Sequence, residues 1–260
     1  MEVSLKHKLK RLLIKYKLLS FFLPVYKTFI YFSPFYRTKQ KEDKKNLLNF
    51  YSQFIKAGDL CFDVGANKGN VTDVFLELGA KVIAVEPQPK CIKYLKKRFG
   101  NKPEFTLVGK GLSDKEGKLT LFICKEADNL STFSDNWNEV FPNHKWLEKK
   151  IVQVTTLDDL IKKFGMPIFC KIDVEGYETK VLKGLSQPIP SLSFEFTKKT
   201  ADKTENCLVR LKSLGYKQFN FHFGKPRQLF LSNWVSKEEL VKKIESAEGS
   251  ILGGDIYAKL

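Results

Sequence analysis

The segment LCFDVGANKGN, residues 60–70, constrains the fold more than any other part of the chain. It begins with an apolar run of strand length, breaks at Gly65, and leads into VTDVFLELG, whose apolar residues have helical spacing. A buried strand that turns tightly into a helix is typical of open α/β sheets, which bind ligands at that edge. The dinucleotide fingerprint G-x-G-x-x-G is not met, because Asn67 and Asn70 stand where its second and third glycines would fall. We therefore predict a ligand loop that needs the tight turn but not a pyrophosphate.

Strand-like and helical patterns alternate along the rest of the chain. Strands are predicted at 60–64, 82–89 (strand and turn), 105–113, 119–124, 168–173, 192–196, 217–223 and 255–260, and a further strand begins at 151. Helices are predicted near 46–56 and at 69–79, 90–99, 176–185, 202–214 and 235–246. The segment 151–165 is predicted to be a strand followed by a helix, and Thr156 with Asp159 is placed to cap that helix. This alternation predicts an α/β fold with a doubly wound, mostly parallel, Rossmann-like sheet.

Residues 46–260 are predicted to form one domain, which a segment of weak periodicity at 125–150 interrupts. That segment contains Trp137, His144 and Trp146, and long loops of this kind in compact domains are commonly functional. It is either a substrate lid or a loop that its aromatic side chains pin to the body of the domain.

Residues 1–45 form a basic extension with twelve Lys and Arg against three acids, out of a net charge of +16 for the chain. Helical spacing of leucines between lysines in residues 1–37 predicts an amphipathic helix, and Thr38–Lys45 is predicted to be a linker. The uncharged runs are too short to span a bilayer. The helix lies either on an anionic membrane surface or against protein, the catalytic domain or a second subunit. The sequence predicts no oligomeric state.

The basicity does not point to nucleic acid, because only five of the 45 basic residues are Arg, the residue favoured for phosphate and base recognition. The five cysteines lie far apart without a C-x-x-C pair, which predicts a reducing compartment, no disulfide framework and no zinc site. We therefore expect a cytoplasmic protein, peripheral at the inner membrane surface if the N-terminal helix binds lipid.

Carboxylates follow the predicted strands at the edge where an open sheet binds its ligand, namely Asp63, Glu86, Asp173 and Glu195, with Glu175 close behind Asp173. Such a ligand should be cationic or rich in hydroxyls, and S-adenosylmethionine is both. Glu86 is placed to accept hydrogen bonds from ribose hydroxyls, although an acid at that spacing also suits NAD. Alternatively, Asp173 and Glu175 cap the helix that follows them, and Asp63 braces the loop.

Several motifs then occur in a characteristic order: DVGANKG (63–69), VEPQP (85–89), GLSDKEG (111–117), TTLDDL (155–160), KIDVEGYETKVLKG (171–184), SFEF (193–196) and GDIYAKL (254–260). Together they resemble the FkbM family of S-adenosylmethionine-dependent methyltransferases, and the resemblance covers roughly residues 55–260. It implies a Rossmann-like fold and O-methylation of hydroxyls on sugars, glycans or other small natural products. It also implies that Asp63, Gly65, Asn67 and Gly69 line the methionine end of the cofactor, that Glu86 holds the ribose, and that Leu112, Ser113 and Asp114 lie near the adenine.

Methyl transfer to a hydroxyl needs alignment and a base. Asp173 is the first candidate for that base, Glu175 and Glu195 are the next, and His144 is the alternative that a lid would deliver. Magnesium at Asp173 and Glu195 would need a third ligand that the sequence does not supply, so no metal site is predicted. A nucleic-acid methyltransferase is disfavoured because KIDVEG replaces the N-P-P-Y-type motif. The remaining alternative is a non-catalytic or NAD-binding protein with the same sheet. The acceptor would be lipid-linked if residues 1–37 bind membrane.

Overall fold

A computed structural model describes residues 34–124, 130–134, 148–224, 228–247 and 253–260 of the protein, with residues 34–37 described as backbone alone. Two compact units are distinguished, Met1–Asn46 and Leu47–Leu260. Residues 1–33 of the predicted amphipathic segment 1–37, His144 and most of the predicted lid lie outside the described residues.

The helices of the described chain are α1 (Pro34–Tyr51), α2 (Asn70–Glu77), α3 (Pro89–Phe99), α4 (Leu157–Phe164), α5 (Glu178–Lys183), α6 (Ala201–Ser213) and α7 (Lys237–Ser246). The strands are β1 (Leu60–Val64), β2 (Lys81–Val85), β3 (Phe105–Val108), β4 (Gly111–Leu112), β5 (Gly117–Ile123), β6 (Glu148–Thr155), β7 (Phe169–Ile172), β8 (Ser191–Thr197), β9 (Gln218–Phe223) and β10 (Gly253–Lys259). The predicted cap of α4 is confirmed, since Thr156 and Asp159 form a reciprocal capping box.

Seven of these strands form the central sheet in the order β3-β2-β1-β7-β8-β10-β9. The pairs from β3 to β8 are parallel, whereas β10 runs antiparallel between β8 and β9. The predicted α/β fold with a doubly wound, mostly parallel sheet is therefore confirmed. The order reverses between β1 and β7, which is the point where such sheets bind ligands.

The two faces of the sheet differ in chemistry. One face is apolar and packs on residues of α4 to α7 around Phe62, Ile172 and Phe194. The other face packs on α2, α3 and Phe50 and Tyr51, but it also carries polar residues. On that face, neighbouring strands place polar residues side by side in two rows. One row is Asp63, Lys171 and Ser193 on β1, β7 and β8, and the other is Glu195, Asp255 and His222 on β8, β10 and β9. Polar side chains thus cross the sheet directly below its ligand-binding edge.

The remaining strands form a second sheet of three in the order β4-β6-β5. The single strand predicted at 105–113 is two strands, because β3 joins the central sheet whereas β4 joins the small one. This break at Gly109 and Lys110 carries the chain from one sheet to the other. It also brings Leu112 to the ligand-binding edge.

The charged run Thr38–Lys45, predicted to be a linker, lies inside α1. Lys, Glu and Gln are good helix formers, so a polar run of this composition suits an exposed helix as well as a linker. None of the helices within the described ranges is both long and apolar enough to cross a membrane.

Candidate functional site

A cavity opens at the carboxyl edge of β1, β2 and β7, with about 510 Å³ of space that includes open solvent. Six of the predicted site residues line it: Gly65, Asn67, Glu86, Leu112, Asp173 and Glu175. The fold therefore brings together residues from four separate motifs of the sequence.

The loop after β1 is held against both neighbouring strands. The N–H groups of Gly65 and Ala66 both donate to the Val85 carbonyl at the end of β2 (2.9 and 3.1 Å). Gly65 has a φ of 81°, and a Cβ there would overlap the backbone carbonyl of Asp173 after β7. The position of Gly65 in the motif suggests that glycine lets a ligand approach the backbone. The structure shows that glycine is also required here for the loop to pack against the backbone of Asp173.

Glu86 organises the same loop from β2. Its carboxylate accepts hydrogen bonds from the backbone N–H of Asn67 (2.7 Å) and of Gln88 (2.8 Å), and only 6% of the residue is exposed. Asn67 adopts a left-handed backbone with a φ of 49°, a conformation that Asn tolerates better than most residues. Burial raises the pKa of Glu86 to about 7, against the opposing effect of the two N–H donors. This carboxylate therefore changes charge near neutral pH.

The lining of the cavity fits S-adenosylmethionine. A carboxylate offers about four lone-pair sites, so Glu86 keeps acceptor capacity for a ribose diol beyond its two N–H bonds. Apolar side chains of Val85, Leu112, Leu121 and Phe133 line the cavity as well, and they suit the faces of an adenine ring. Asp173 supplies negative charge that suits a sulfonium.

Other predicted cofactor residues lie close by without lining the cavity. Asp63 is buried and accepts a hydrogen bond from Thr72 of α2, so it braces the loop. Gly69 is the N-cap of α2 with a φ of 73°, and a Cβ there would lie 2.5 Å from Phe99. Ser113 bonds to Asp114 and Tyr177, while Asp114 forms an ion pair with Lys180.

The candidate bases Asp173, Glu175 and Glu195 each offer a carboxylate oxygen within 4.8 Å of the others. Burial raises the pKa of Glu175 and of Glu195 well above the ordinary value, and the charge of Asp173 raises both further. Asp173 differs because the Nζ of Lys171 lies 2.6 Å from its Oδ2. Asp173 is thus the acid of the three that forms an ion pair with Lys171.

The sequence offered Asp173 and Glu195 as oxygen ligands for magnesium but no third ligand. In the structure Glu175 lies beside them, so the three acids could hold a divalent cation such as Mg²⁺. Lys171 pairs with Asp173, and the raised pKa values of Glu175 and Glu195 favour their protonated forms.

Glu178, the first residue of α5, holds the loop that leads into that helix. Glu178 accepts hydrogen bonds from the N–H groups of Val174 (3.2 Å) and Gly176 (3.1 Å). Neither Asp173 nor Glu175 caps α5, because its N-terminus, with Tyr177 as the N-cap, receives no side-chain cap hydrogen bond. Glu175 has a left-handed φ of 54°, and such backbone strain in a non-Gly residue is frequent at functional sites.

Sequence reasoning missed Lys171, which is 5% exposed and lies between acids of the polar face. Burial alone would lower the pKa of Lys171, but the charges of Asp173 and Asp255 raise it well above its usual value. A lysine inside the apolar run IFCKID was the available signal, because buried lysines are nearly always paired.

The segment 130–134 was also missed as a wall of the cavity. Ser131, Thr132 and Phe133 line it, and the Thr132 hydroxyl donates to the Glu175 carbonyl (2.7 Å). The amide of Gln88 donates to the Ser131 hydroxyl (2.7 Å). This part of the predicted lid therefore contacts the site; the role of the remainder, including His144, stays a prediction.

Comparison with known proteins gives the family. The family model of the methyltransferase FkbM domain matches residues 63–218. The chain is 24% identical over 164 residues to the hexuronic acid methyltransferase AglP of Haloferax volcanii, which covers 61% of this chain and 63% of that protein. It is 32% identical over 54 residues to a chloroplastic ribosomal RNA small subunit methyltransferase of Arabidopsis thaliana, covering 21% and 16%. The chain thus spans less than two thirds of the length of either relative.

A precorrin-6y C5,15-methyltransferase from Geobacter metallireducens has a similar solved structure, with a TM-score of 0.43 and 11% identity over 83% of this chain and 86% of that one. Family membership does not depend on that likeness, since the family model matches more than half of the chain. The chain belongs to the FkbM family of S-adenosylmethionine-dependent methyltransferases.

Proposed function

We propose that this protein transfers the methyl group of S-adenosylmethionine to a hydroxyl of a sugar, a glycan or another small natural product. The observation that carries the proposal is one cavity lined by both Glu86, a buried carboxyl group, and Asp173, an ion-paired carboxylate. The cofactor and a base for the acceptor would then share one site, as an O-methyl transfer requires.

When bound, S-adenosylmethionine supplies an electrophilic methyl group on a sulfonium. Glu86 would hold the ribose, while Gly65 and Asn67 would form the wall beside the methionine end. Asp173 would accept the proton of the acceptor hydroxyl, because it carries charge at the mouth of the cavity. Glu175 and Glu195, whose raised pKa values favour the protonated form, would donate hydrogen bonds to other oxygens of the acceptor.

The charge of the site also bears on the acceptor. The hexuronic acid named for the Haloferax relative supports a sugar acceptor in general. The described lining of the cavity contains acids but no Lys or Arg, so it offers a uronate carboxylate no cation to pair with, which favours neutral or amino sugars here. The same lack of Lys and Arg in the described lining disfavours phosphate-rich nucleic acid at this site.

The direct test is incubation with methyl-labelled S-adenosylmethionine and a panel of neutral, amino and uronic sugars, lipid-linked glycans and ribosomal RNA. Labelled methyl ether on a neutral or amino sugar is expected. Transfer to RNA alone would overturn the proposal, as would calorimetry in which NAD binds more tightly than S-adenosylmethionine.

Replacing Glu86 by Ala is expected to weaken S-adenosylmethionine binding by about 1.5–3 kcal/mol, the usual loss for a hydrogen bond to a charged group. Calorimetry measures the change. Glu238→Ala is the control, since Glu238 is an exposed acid of α7. Unchanged cofactor affinity in Glu86→Ala would contradict the placement of the ribose.

The pKa of about 7 for Glu86 predicts a pH dependence of the same binding. Glu86 is ionised above about pH 7 and loses an acceptor oxygen on protonation, so affinity should fall as the pH drops through that value. Glu86→Gln cannot titrate and should bind with a flatter profile between pH 6 and 8. Parallel profiles for the two proteins would assign the dependence to another group.

We further propose that residues 1–37 attach the enzyme to an anionic membrane surface, where a lipid-linked acceptor would be built. Each Lys or Arg near such a surface contributes about 1 kcal/mol, and salt screens the attraction. The full chain should sediment with phosphatidylserine vesicles at low salt and be released at high salt. A chain that lacks residues 1–33 should lose vesicle binding but keep cofactor binding, because every cofactor motif follows residue 60. Full-length protein that ignores these vesicles at low salt would favour packing on protein instead.

A further inference from the structure

Arg98, in the last turn of α3, reaches across to the end of the loop that follows β1. Its Nη1 donates to the carbonyls of Lys68 (2.9 Å) and Gly69 (3.3 Å), and its Nη2 lies 2.9 Å from Oδ2 of Asp73. A single guanidinium therefore joins the end of the loop to the first turn of α2.

The same helix supports the loop by packing. A Cβ at Gly69 would lie 2.5 Å from Phe99 and 2.7 Å from Leu95, so the loop rests directly on these side chains. The guanidinium carbon of Arg98 lies 4.7 Å from the centre of the Phe99 ring. Packing sets how closely the loop approaches α3. The hydrogen bonds from Arg98 fix the direction in which the Lys68 and Gly69 carbonyls point.

The carbonyls that Arg98 holds directly follow Asn67, whose left-handed backbone aims its N–H at Glu86. A shift of Lys68 and Gly69 would rotate that peptide and weaken the Asn67–Glu86 hydrogen bond. We propose that Arg98 is a positioning residue for the cofactor loop, holding Asn67 and Glu86 in the arrangement that receives the ribose. This inference rests on the proposed cofactor site.

Arginine is needed for this arrangement because its planar fork donates in several fixed directions at once, whereas an ammonium is a point charge on a flexible stem. The chain has only five Arg among 45 basic residues. Arg210 of α6 offers a matched comparison, since it also donates to two backbone carbonyls, those of Leu182 (3.3 Å) and Leu185 (2.5 Å). Arg210 clamps the end of α5 rather than the cofactor loop.

The test compares Arg98→Met, Arg98→Lys and Arg210→Met in the full chain by calorimetry with S-adenosylmethionine and with S-adenosylhomocysteine. Both Met variants should melt at a lower temperature than the unsubstituted protein. Only the Arg98 variants should bind cofactor more weakly, by roughly tenfold for Met, and Lys should restore little of the affinity. Amide hydrogen exchange without cofactor should quicken at Asn67 and Gly69 in Arg98→Met alone.

Unchanged affinity in folded Arg98→Met would overturn the inference, as would an equal loss in Arg210→Met, which would indicate a general effect of stability. If Arg98→Met does not fold, Arg98→Lys decides, since full affinity and unchanged exchange at Asn67 would refute the role. An unsubstituted protein that binds neither ligand would instead refute the proposed function, and with it the loop's role. If the unsubstituted protein binds cofactor and the Arg98 variants bind it equally well, this inference alone is refuted.

Discussion

Replacing Asp173 by Asn is expected to lower methyl transfer about a hundredfold or more while cofactor affinity changes little, because loss of a general base typically costs 10²–10⁴ in rate. Asn keeps the shape of the side chain but removes the charge that pairs with Lys171. Some loss of stability should accompany the change, since Lys171 then keeps only its other acidic neighbours. Rates with labelled S-adenosylmethionine, calorimetry and thermal melting separate the three effects.

Asp202→Asn is the matched control, because Asp202 is an exposed acid in the first turn of α6. Its turnover should equal that of the unsubstituted protein. Near-normal turnover in Asp173→Asn would contradict its role as the base and leave an ion-pairing role with Lys171. Glu175→Gln and Glu195→Gln would then identify which neighbour takes the proton, and His144 would be tested in the same way.

The central sheet could be predicted from sequence because its strands are short apolar runs, and alternation with helices implies parallel pairing. The run Thr38–Lys45, expected to be a linker, is part of helix α1, because charge alone does not distinguish an exposed helix from an extended segment. The break between β3 and β4 was missed for a related reason. Apolar spacing in one run does not reveal which of two sheets its ends will join.

Several of the site residues could be predicted because the carboxyl ends of parallel strands meet at one edge. Spacing along the chain could not show which of them would face the cavity. Asp63 and Ser113 are buried and bonded within the protein, although each lies within a few residues of a lining side chain. Lys171 and Thr132 were missed because their roles depend on partners brought close only by folding.

The second large effect is expected for Gly65→Ala. The φ of 81° at Gly65 already disfavours any residue with a Cβ, at a cost of about 1–3 kcal/mol. The added methyl would also overlap the Asp173 carbonyl, so the loop or the end of β7 must move, and overpacking of this kind costs about 1–3 kcal/mol more. Both elements carry the site. We therefore expect a markedly lower melting temperature and loss of measurable cofactor binding by calorimetry.

Gly58→Ala separates the two causes. Gly58 has a φ of 88°, close to that of Gly65, but a Cβ there meets nothing within 4 Å. It should show the backbone cost alone, a smaller fall in melting temperature with cofactor affinity retained. Equal destabilisation of the two variants with normal binding in both would contradict the close contact of Gly65 with Asp173. A larger loss in Gly65→Ala would show that cofactor binding requires the loop after β1 to stay packed against the end of β7, where the proposed base begins.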